Sequence, residues 1–452
     1  MTKKNQEKLN ISQVGYKSEW ALAKFFDAYF NDNEIKGKFN LKYICGRQRK
    51  KIAIDQLMDG LEGKLEILFE NPTWRAGNRK KEVKSIIGII RRLNNNGFKY
   101  SQTIENKEEC KKYSLEEKVY DKSDAIIVQS ANLAHLDYIN DAISHEKSVL
   151  CEKPLIPVIE NGKPTKKYIN ELKKIANKNE RKDKDIKILM DAEHYSYKKS
   201  SLAFYENLDE ILTGKDGEKL KIKEIVGEGI EIDDPSHWRT QEILNFEKSG
   251  SGLMGDTLCH FLAFVSNLGG KAIAKNREYD MYEGEKEGKR IKYNADTYDH
   301  VVFNVQNRKN KVENSIAIDS KRDYFTEECT ANFTVAKFID KTNRNINKEN
   351  HEKKESKFIK FLLNDGSEVI VDFITGEVTK NTIKQDQKSY KAKEGTSNNE
   401  YVNILNRFYD SIKTGKRPIT DFKNSIETMN SIYEAYNLPE EQNKRISVYQ
   451  LK

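Results

Sequence analysis

The side chains best suited to chemistry in this sequence are a carboxylate and an imidazole four residues apart, Asp256 and His260. They follow the glycine- and serine-rich stretch 249–255 and precede the apolar run 261–265, a pattern that predicts a loop entering a buried helix. Residues four apart on a helix share one face, so this pair could hold or move a proton. An aspartate at a helix start and a hydrogen-bonded core histidine would give the same spacing.

A second candidate cluster lies earlier in the chain, where Glu152, Lys153 and Pro154 directly follow the apolar stretch 148–151. We predict that this stretch is a buried strand. Open α/β sheets bind ligands outside the carboxyl ends of their strands, and Pro154 restricts Lys153 to an extended conformation. The charged pair is therefore a candidate ligand contact, and an ordinary surface loop is the alternative.

The first part of the chain alternates apolar runs with amphipathic stretches. Predicted strands lie at 9–14, 39–45, 65–69, 124–129, 148–151 and 186–192, and predicted helices at 19–30, 135–145 and 168–177, with an amphipathic stretch at 83–93. Strand, glycine turn, helix and strand form a βαβ unit, which opens a nucleotide-binding sheet. We predict that residues 1–154 form a Rossmann-like, doubly wound parallel sheet.

The turn after the first strand carries only part of a dinucleotide fingerprint. A G-x-G-x-x-G pattern would place glycines at 15, 17 and 20, but the chain has Gly15, Lys17 and Trp20. The second strand ends in the basic run 46–51, whereas an acidic residue there would bind the ribose of NAD. This run favours NADP over NAD, and a solvated basic loop is the alternative.

The second half has the alternating pattern of half-buried strands. Predicted strands lie at 222–232, 301–305, 311–319, 331–336, 358–363 and 368–373, predicted long polar loops at 341–357 and 381–399, and predicted helices at 401–414 and 419–436. We predict that residues 155–452 form an α+β domain with an open, mostly antiparallel sheet. The closing helices, 401–436, could pack back on the first domain.

Composition excludes several classes of protein. The 452 residues are 37% hydrophobic and 33% charged, and the net charge of +8 comes from 79 basic and 71 acidic residues that are well mixed. A nucleic-acid-binding protein would concentrate its basic residues. The five cysteines are scattered without CxxC spacing, so neither a disulfide framework nor a zinc site is indicated. With no apolar signal region and no membrane-length apolar run, we expect a cytoplasmic protein that binds neither membranes nor nucleic acids.

Several motifs, taken in order, resemble the Gfo/Idh/MocA family of nicotinamide-dependent oxidoreductases, named for glucose–fructose oxidoreductase and inositol dehydrogenase. The matching segments are 124–135 (a strand and Pro-Asn-x-x-His turn, with Ala131 for proline), 149–155 (E-K-P), Trp238-Arg239 (W-R), 250–260 (G-G-G-x-x-x-D-x-G-x-H, with Ser251 and Leu258 for two glycines) and 401–436 (the closing helices). The resemblance covers most of the chain and is thin at 52–120 and 340–400.

The resemblance implies hydride transfer between a nicotinamide cofactor, NADP or NAD, and a hydroxyl or carbonyl of a sugar, sugar phosphate or cyclitol. It assigns His260 as the base, Asp256 as the group that orients it or binds substrate, and Lys153 as the cation that stabilises a developing alkoxide. It also implies a homodimer or homotetramer formed through the second-domain sheet.

The same resemblance implies further contacts, and we expect no metal site. Cofactor contacts would come from Gly15, Tyr16, Arg47, Ser130, Asn132, His135, Glu152 and Lys153, and substrate contacts from Tyr195, Trp238 and Arg239. For His135 and Tyr195, turn or core packing explains the residue almost as well. The remaining histidines have no comparable context and are expected to be structural or exposed: His145, His194, His237, His300 and His351.

Two alternative functions stay open at the level of sequence. The chain could be a non-catalytic descendant that no longer binds a dinucleotide, which Lys17 and Trp20 favour. It could also be a redox-neutral relative that uses NAD to hydrolyse glycosides. The joint presence of Lys153, Asp256 and His260 favours an enzyme, because a chain without catalysis has no chemical need for all three.

Overall fold

The computed structural model describes residues 7–14, 24–25, 27–29, 32–45, 120–130, 132–180, 186–231, 243–286, 289–309, 322–337, 355–383 and 386–446. The chain divides into two compact units. Unit 1 comprises Met1–Glu152, Asn177–Ala192 and Tyr401–Gly415, and unit 2 comprises Lys153–Ala176, Glu193–Glu400 and Lys416–Lys452. A single boundary after residue 154 does not describe this division, because the chain returns to unit 1 for a further strand and a helix.

The described residues contain strands and helices with the following bounds. The strands are β1 Leu9–Val14, β2 Phe39–Cys45, β3 Ala125–Val128, β4 Ser148–Cys151, β5 Ile159–Glu160, β6 Lys163–Pro164, β7 Leu189–Asp191, β8 Ile222–Glu231, β9 Gly270–Asp280, β10 Glu283–Lys286, β11 Lys289–Lys292, β12 Tyr298–Asn307, β13 Phe325–Lys337, β14 Ser356–Leu363, β15 Glu368–Asp372, β16 Val378–Asn381, β17 Gln387–Tyr390 and β18 Asn443–Arg445. The α-helices are α1 Asn33–Lys38, α2 His135–Ser144, α3 Lys167–Glu180, α4 Lys199–Glu206, α5 Leu208–Ile211, α6 Phe246–Ser249, α7 Cys259–Asn267, α8 Glu400–Thr414 and α9 Phe422–Tyr436.

Unit 1 is built on a parallel sheet with the strand order β2-β1-β3-β4-β7. The apolar strands β3 and β4 are buried along their whole length, as expected for a parallel sheet covered on both faces. The predicted Rossmann-like sheet is therefore confirmed. Strands β2 and β3 lie on opposite sides of β1, which makes the carboxyl ends of β1 and β3 the topological switch point where such sheets bind ligands.

Unit 2 is built on a nine-stranded sheet with the order β17-β16-β15-β14-β8-β13-β12-β9-β18. The β8–β13 and β9–β18 pairs are parallel and the other pairs are antiparallel, which confirms the predicted open, mostly antiparallel sheet. The predicted hairpin turn at Asn364-Asp365-Gly366 joins β14 to β15, and Gly366 adopts the positive φ of +83° that such a turn requires.

Helix α7 is the centre of the unit 2 core, and each of its residues is buried. It packs on the sheet, where the rings of Phe261 and Phe333 stack at 5.7 Å, and it also packs against α9. Gly229 of β8 allows this close approach, because a Cβ there would lie 2.9 Å from the Phe261 ring. The apolar run 261–265 thus holds the preceding loop firmly against the sheet.

Some predicted elements differ from the structure or lie outside its described part. The polar stretch 381–399 was predicted to be a loop, but it contains β17, an edge strand whose polar residues give no apolar alternation. The predicted elements at 65–69, 83–93 and 311–319, and nearly all of 341–357, lie outside the described residues. Among the described helices, none has the length and hydropathy that crossing a membrane requires.

Candidate active site

The loop that carries Asp256 is shaped by glycines and by the chain around it. Gly250 and Gly252 have positive φ angles of +68° and +56°, and the Gly250 carbonyl accepts hydrogen bonds of 2.8 Å from the backbone of Val158 and Ile159. A π-helical turn, Met254–Leu258, follows and runs directly into α7. Asp256 therefore lies in a wider turn than the predicted α-helix, of a kind that often occurs at functional sites.

The imidazole of His260 is held by Glu193, which lies just after β7. His260 Nδ1 makes a short hydrogen bond to Glu193 Oε1, and both side chains are buried. The carboxylate also accepts hydrogen bonds from the backbone N–H groups of Tyr195 at 3.0 Å and Ser196 at 2.8 Å. Because Glu193 acts as an acceptor throughout, we infer that Nδ1 carries the proton and that Nε2 is the basic nitrogen.

Two further rings fix the plane of the imidazole. The Tyr195 ring stacks on His260 with centroids 3.8 Å apart and an interplanar angle of 6°. The His194 ring meets His260 edge-on at 4.6 Å. This packing leaves the imidazole little freedom to rotate, so the direction of Nε2 is set by the fold.

Burial sets the protonation of this cluster. Burial lowers the pKa of His260 well below its usual value, and the ammonium group of Lys153 lowers it further. Burial likewise lowers the pKa of His194, and a positive charge on a protonated His260 would act in the same direction. Burial raises the pKa of Glu193. Both imidazoles are therefore neutral at neutral pH, which is the form that accepts a proton.

Lys153 and Asp256, predicted from separate motifs, are in direct contact. Lys153 Nζ donates to the backbone oxygen of Asp256 at 2.6 Å and to its Oδ1 at 2.9 Å. The other carboxylate oxygen, Oδ2, lies 3.0 Å from Lys337 Nζ. The lysine cation is thereby fixed on the loop that leads into α7, four residues before His260.

The contacts of Asp256 continue into a series of ion pairs on the sheet. Lys337 Nζ lies 2.7 Å from Glu231 Oε2, and Lys357 Nζ lies 2.7 Å from Glu231 Oε1. Glu231 and Lys337 face each other in the register of β8 and β13. Burial alone would raise the pKa of Glu231, but the two ammonium groups outweigh it and hold that pKa below its usual value. The series therefore stays charged and holds Asp256 in place.

Glu193, His194 and His260 also form a grouping that could hold a metal ion, with one ligand atom from each within 4.8 Å of the others. The hydrogen bonds argue for a different role. Oε1 of Glu193 already contacts His260 and the Tyr195 N–H, and Oε2 accepts from Ser196. A carboxylate with these contacts fixes the orientation of the imidazole and accepts the hydrogen bond from its protonated nitrogen.

The glycines of the loop are explained by packing within unit 2. A Cβ on Gly252 would lie 2.7 Å from the Phe246 ring and 2.9 Å from the Tyr436 hydroxyl. That hydroxyl is fixed, because it lies 3.0 Å from the Ser251 carbonyl and 2.9 Å from Asp296 Oδ1. The small residues therefore let the loop pack close to α9.

This explanation predicts that Gly252→Ala will lower the free energy of unfolding by about 1–3 kcal/mol, from a strained φ together with the clash. Gly217→Ala is the matched control, since Gly217 also has a positive φ of +80° but open space around its Cα. Urea denaturation of both variants measures the difference. Equal losses in the two variants would contradict a packing role for Gly252.

Four of the predicted cofactor contacts lie in the described part of unit 1. Ser130 and Asn132 follow β3, and Glu152 follows β4, where its carboxylate accepts a hydrogen bond from the Tyr401 hydroxyl. His135 is fully buried, and its Nε2 lies 3.0 Å from the Ser130 carbonyl, so it braces the turn after β3. The predicted contacts Lys153 and Tyr195 lie in unit 2, beside Asp256 and His260 respectively. The remaining predicted contacts lie outside the described residues: Gly15, Tyr16, Arg47, Trp238 and Arg239.

The sequence motifs did not reveal most neighbours of His260. His194 was expected to be structural or exposed, but it contacts His260 directly. Glu193 and Lys337 carried no motif, and only the position of Glu193 at the end of a predicted strand was a usable signal. His300, expected to be structural or exposed, has Nδ1 2.9 Å from the hydroxyl of Thr334 on the neighbouring strand.

The comparisons with known proteins agree with the motifs. The family model described as the GFO_IDH_MocA oxidoreductase family, with an NAD-binding Rossmann fold, matches residues 67–181. Residues 67–181 thus carry the sequence pattern of the Gfo/Idh/MocA family of oxidoreductases. The resemblance inferred from the sequence is thereby confirmed, and with it the assignment to an NAD-binding oxidoreductase family. No curated protein matches the sequence.

Solved structures share the fold at low sequence identity. Levoglucosan dehydrogenase in complex with NADH has a TM-score of 0.61 at 13% identity and covers 95% of this chain and 96% of its own. UDP-N-acetylglucosamine 3-dehydrogenase from Acidithiobacillus ferrooxidans has a TM-score of 0.54 at 8% identity, and the match covers 94% of this chain and 96% of that protein. Aldose-aldose oxidoreductase from Caulobacter crescentus, complexed with glycerol, has a TM-score of 0.56 at 13% identity, and the match covers 95% of this chain and 98% of that protein.

Proposed function

We propose that this protein is an NAD(P)-dependent oxidoreductase that transfers a hydride between the nicotinamide and a hydroxyl or carbonyl carbon of a polyhydroxylated small molecule. The observation that carries the proposal is the cluster in unit 2, where a fixed lysine cation lies beside a buried, carboxylate-held imidazole. Family membership supports the redox chemistry, and the solved neighbours include dehydrogenases of sugar derivatives.

In the direction of oxidation, the substrate hydroxyl must lose its proton as the hydride leaves. The neutral imidazole of His260 is our candidate for the base, because Nδ1 is hydrogen-bonded to Glu193 and Nε2 can accept the proton. Lys153 stabilises the negative charge that develops on the substrate oxygen. Asp256 holds Lys153 in position through its backbone oxygen and its carboxylate.

The described residues of unit 1 fit a nicotinamide cofactor at the switch point. The chain after β3 and β4 offers a hydroxyl, an amide and a carboxylate in Ser130, Asn132 and Glu152, and these groups suit the ribose and carboxamide of the nicotinamide half. Bound NAD(P) would accept or supply the hydride. The basic run 46–51 still favours NADP, which we propose as the preferred cofactor.

Cofactor binding is the first test of this function. We expect NADPH or NADH to raise the melting temperature in a concentration-dependent way, because a ligand that binds only the folded state stabilises it. Titration of the reduced cofactor's fluorescence would give the two dissociation constants and so the preference. No response to either cofactor would refute the proposal and favour the non-catalytic descendant.

The substrate class is tested by turnover. Neutral sugars, sugar phosphates, sugar acids and cyclitols would be screened with NADP⁺ and NAD⁺, following the absorbance of the reduced cofactor. We expect at least one polyhydroxylated compound to be oxidised. Release of a free sugar from a glycoside without net cofactor reduction would instead indicate the redox-neutral relative.

A further inference from the structure

Lys198 is a cation close to the candidate active site that the proposed mechanism does not use. Its Nζ donates to the Phe373 carbonyl at 3.1 Å and lies 4.3 Å from the centre of the Tyr195 ring. The parallel imidazole of His260 covers one face of that ring, so Lys198 lies against the other face. The ring therefore separates the ammonium group from the candidate base.

Within the described part of the chain, Lys198 forms no ion pair with a carboxylate. The neighbouring lysines are each paired: Lys153 and Lys337 with Asp256, and Lys337 and Lys357 with Glu231. The charges of Glu400, Glu231 and Glu193 act on Lys198 from beyond ion-pair distance, and the charge of Lys357 opposes them. Among the described residues, this largely buried cation contacts one carbonyl and two aromatic rings but has no carboxylate at ion-pair distance, which such a group normally has.

We propose that Lys198 binds an anionic oxygen group of the substrate, so that the substrates are polyhydroxylated compounds with a phosphate or a carboxylate. This inference rests on the proposed function and names the substrate class of that site. The anion would supply the missing counter-charge and accept charge-assisted hydrogen bonds from the ammonium group. The reacting carbon of the substrate would lie on the His260 side of the Tyr195 ring.

The protonation of Lys198 is consistent with such a role. Burial lowers its pKa to about 8, with the charges of Glu400 and Lys357 acting in opposite directions. A pKa near this value leaves the amine mostly protonated at neutral pH, and a bound anion would favour the charged form further.

The test compares two matched pairs of compounds, glucose 6-phosphate with glucose and glucuronate with glucose. We expect kcat/KM to be higher for the anionic member of at least one pair. In Lys198→Gln, the ratio of kcat/KM for the anionic member over the neutral member should fall about 10- to 100-fold, the loss expected for one hydrogen bond to a charged group. The pair that responds distinguishes phosphate from carboxylate.

Two further variants separate charge from folding. Lys198→Arg keeps the cation and should retain most of the preference, whereas Lys199→Gln, at the exposed neighbouring lysine, should leave the ratio as in the wild type. A wild-type enzyme with equal kcat/KM within each pair, or an unchanged ratio in Lys198→Gln, would overturn the anion site while leaving the oxidoreductase proposal standing.

If the enzyme turns over none of these compounds, their dissociation constants are measured by calorimetry instead. Tighter binding of an anionic member that is lost in Lys198→Gln would support the anion site and count against the redox function. Equal binding within each pair, or no binding of any compound, would overturn the anion site.

Discussion

Replacing Lys153 with methionine is expected to lower kcat by about 10²- to 10⁴-fold, the range typical of removing a group that stabilises developing charge. The ammonium group is fixed by two hydrogen bonds to Asp256, so it stabilises charge in the transition state without having to move. Methionine keeps the length of the side chain and removes the cation. Steady-state kinetics on a substrate found by screening, with NADP⁺ saturating, measures the effect.

The effect should be confined to the chemical step. The dissociation constant for NADPH, measured by fluorescence, should change little, and Asp256 keeps its ion pair with Lys337. Lys163→Met, at an exposed lysine of β6, is the control for losing a positive charge and should retain wild-type kcat. A Lys153→Met enzyme with normal kcat would remove Lys153 from the proposed mechanism.

The architecture of both sheets could be predicted because the faces that a strand buries determine the pattern of apolar residues along it. Strands β3 and β4 are covered on both faces and read as continuous apolar runs. Strand β13 has one face on the core, and its burial alternates along much of its length. The edge strand β17 was missed because its polar residues follow neither pattern.

The candidate site was only partly predictable, because its geometry depends on residues far apart in sequence. Lys153 and Asp256 were found from separate motifs, and the structure brings them to 2.9 Å. The resemblance implied that Asp256 would orient His260 or bind substrate, but the imidazole donates its Nδ1 hydrogen bond to Glu193. The π-helical turn at Met254–Leu258 explains why a spacing of four was a poor guide there.

The ion pairs on the sheet show the same limit. Lys337 and Glu231 meet because β8 and β13 are paired in one register. Neither strand reveals its partner or its register from local sequence, since pairing depends on the whole sheet. The ion pairs around Asp256 therefore depend on the pairing of strands far apart in sequence. No local pattern in a single sequence reveals that pairing.

Glu193→Gln is expected to lower kcat by about 10²- to 10⁴-fold, although the change is nearly isosteric. When the glutamine oxygen takes the place of Oε2 and accepts the hydrogen bonds from Ser196, its NH₂ group takes the place of Oε1 and faces His260 Nδ1. Nδ1 then becomes the acceptor, and the imidazole proton moves to Nε2, where the base is needed. The wrong tautomer removes the base without removing the ring.

The pH profile distinguishes this positioning role from a structural one. Because burial and Lys153 lower the pKa of His260 below its usual value, wild-type kcat/KM should stay level on acidification through pH 6.5 and fall only at lower pH. Glu193→Gln should be slow across this range, and combining it with His260→Ala should cost little more than His260→Ala alone. Glu328→Gln, at an exposed position of β13, controls for loss of a carboxylate. Additive losses in the double variant would show that Glu193 acts independently of His260.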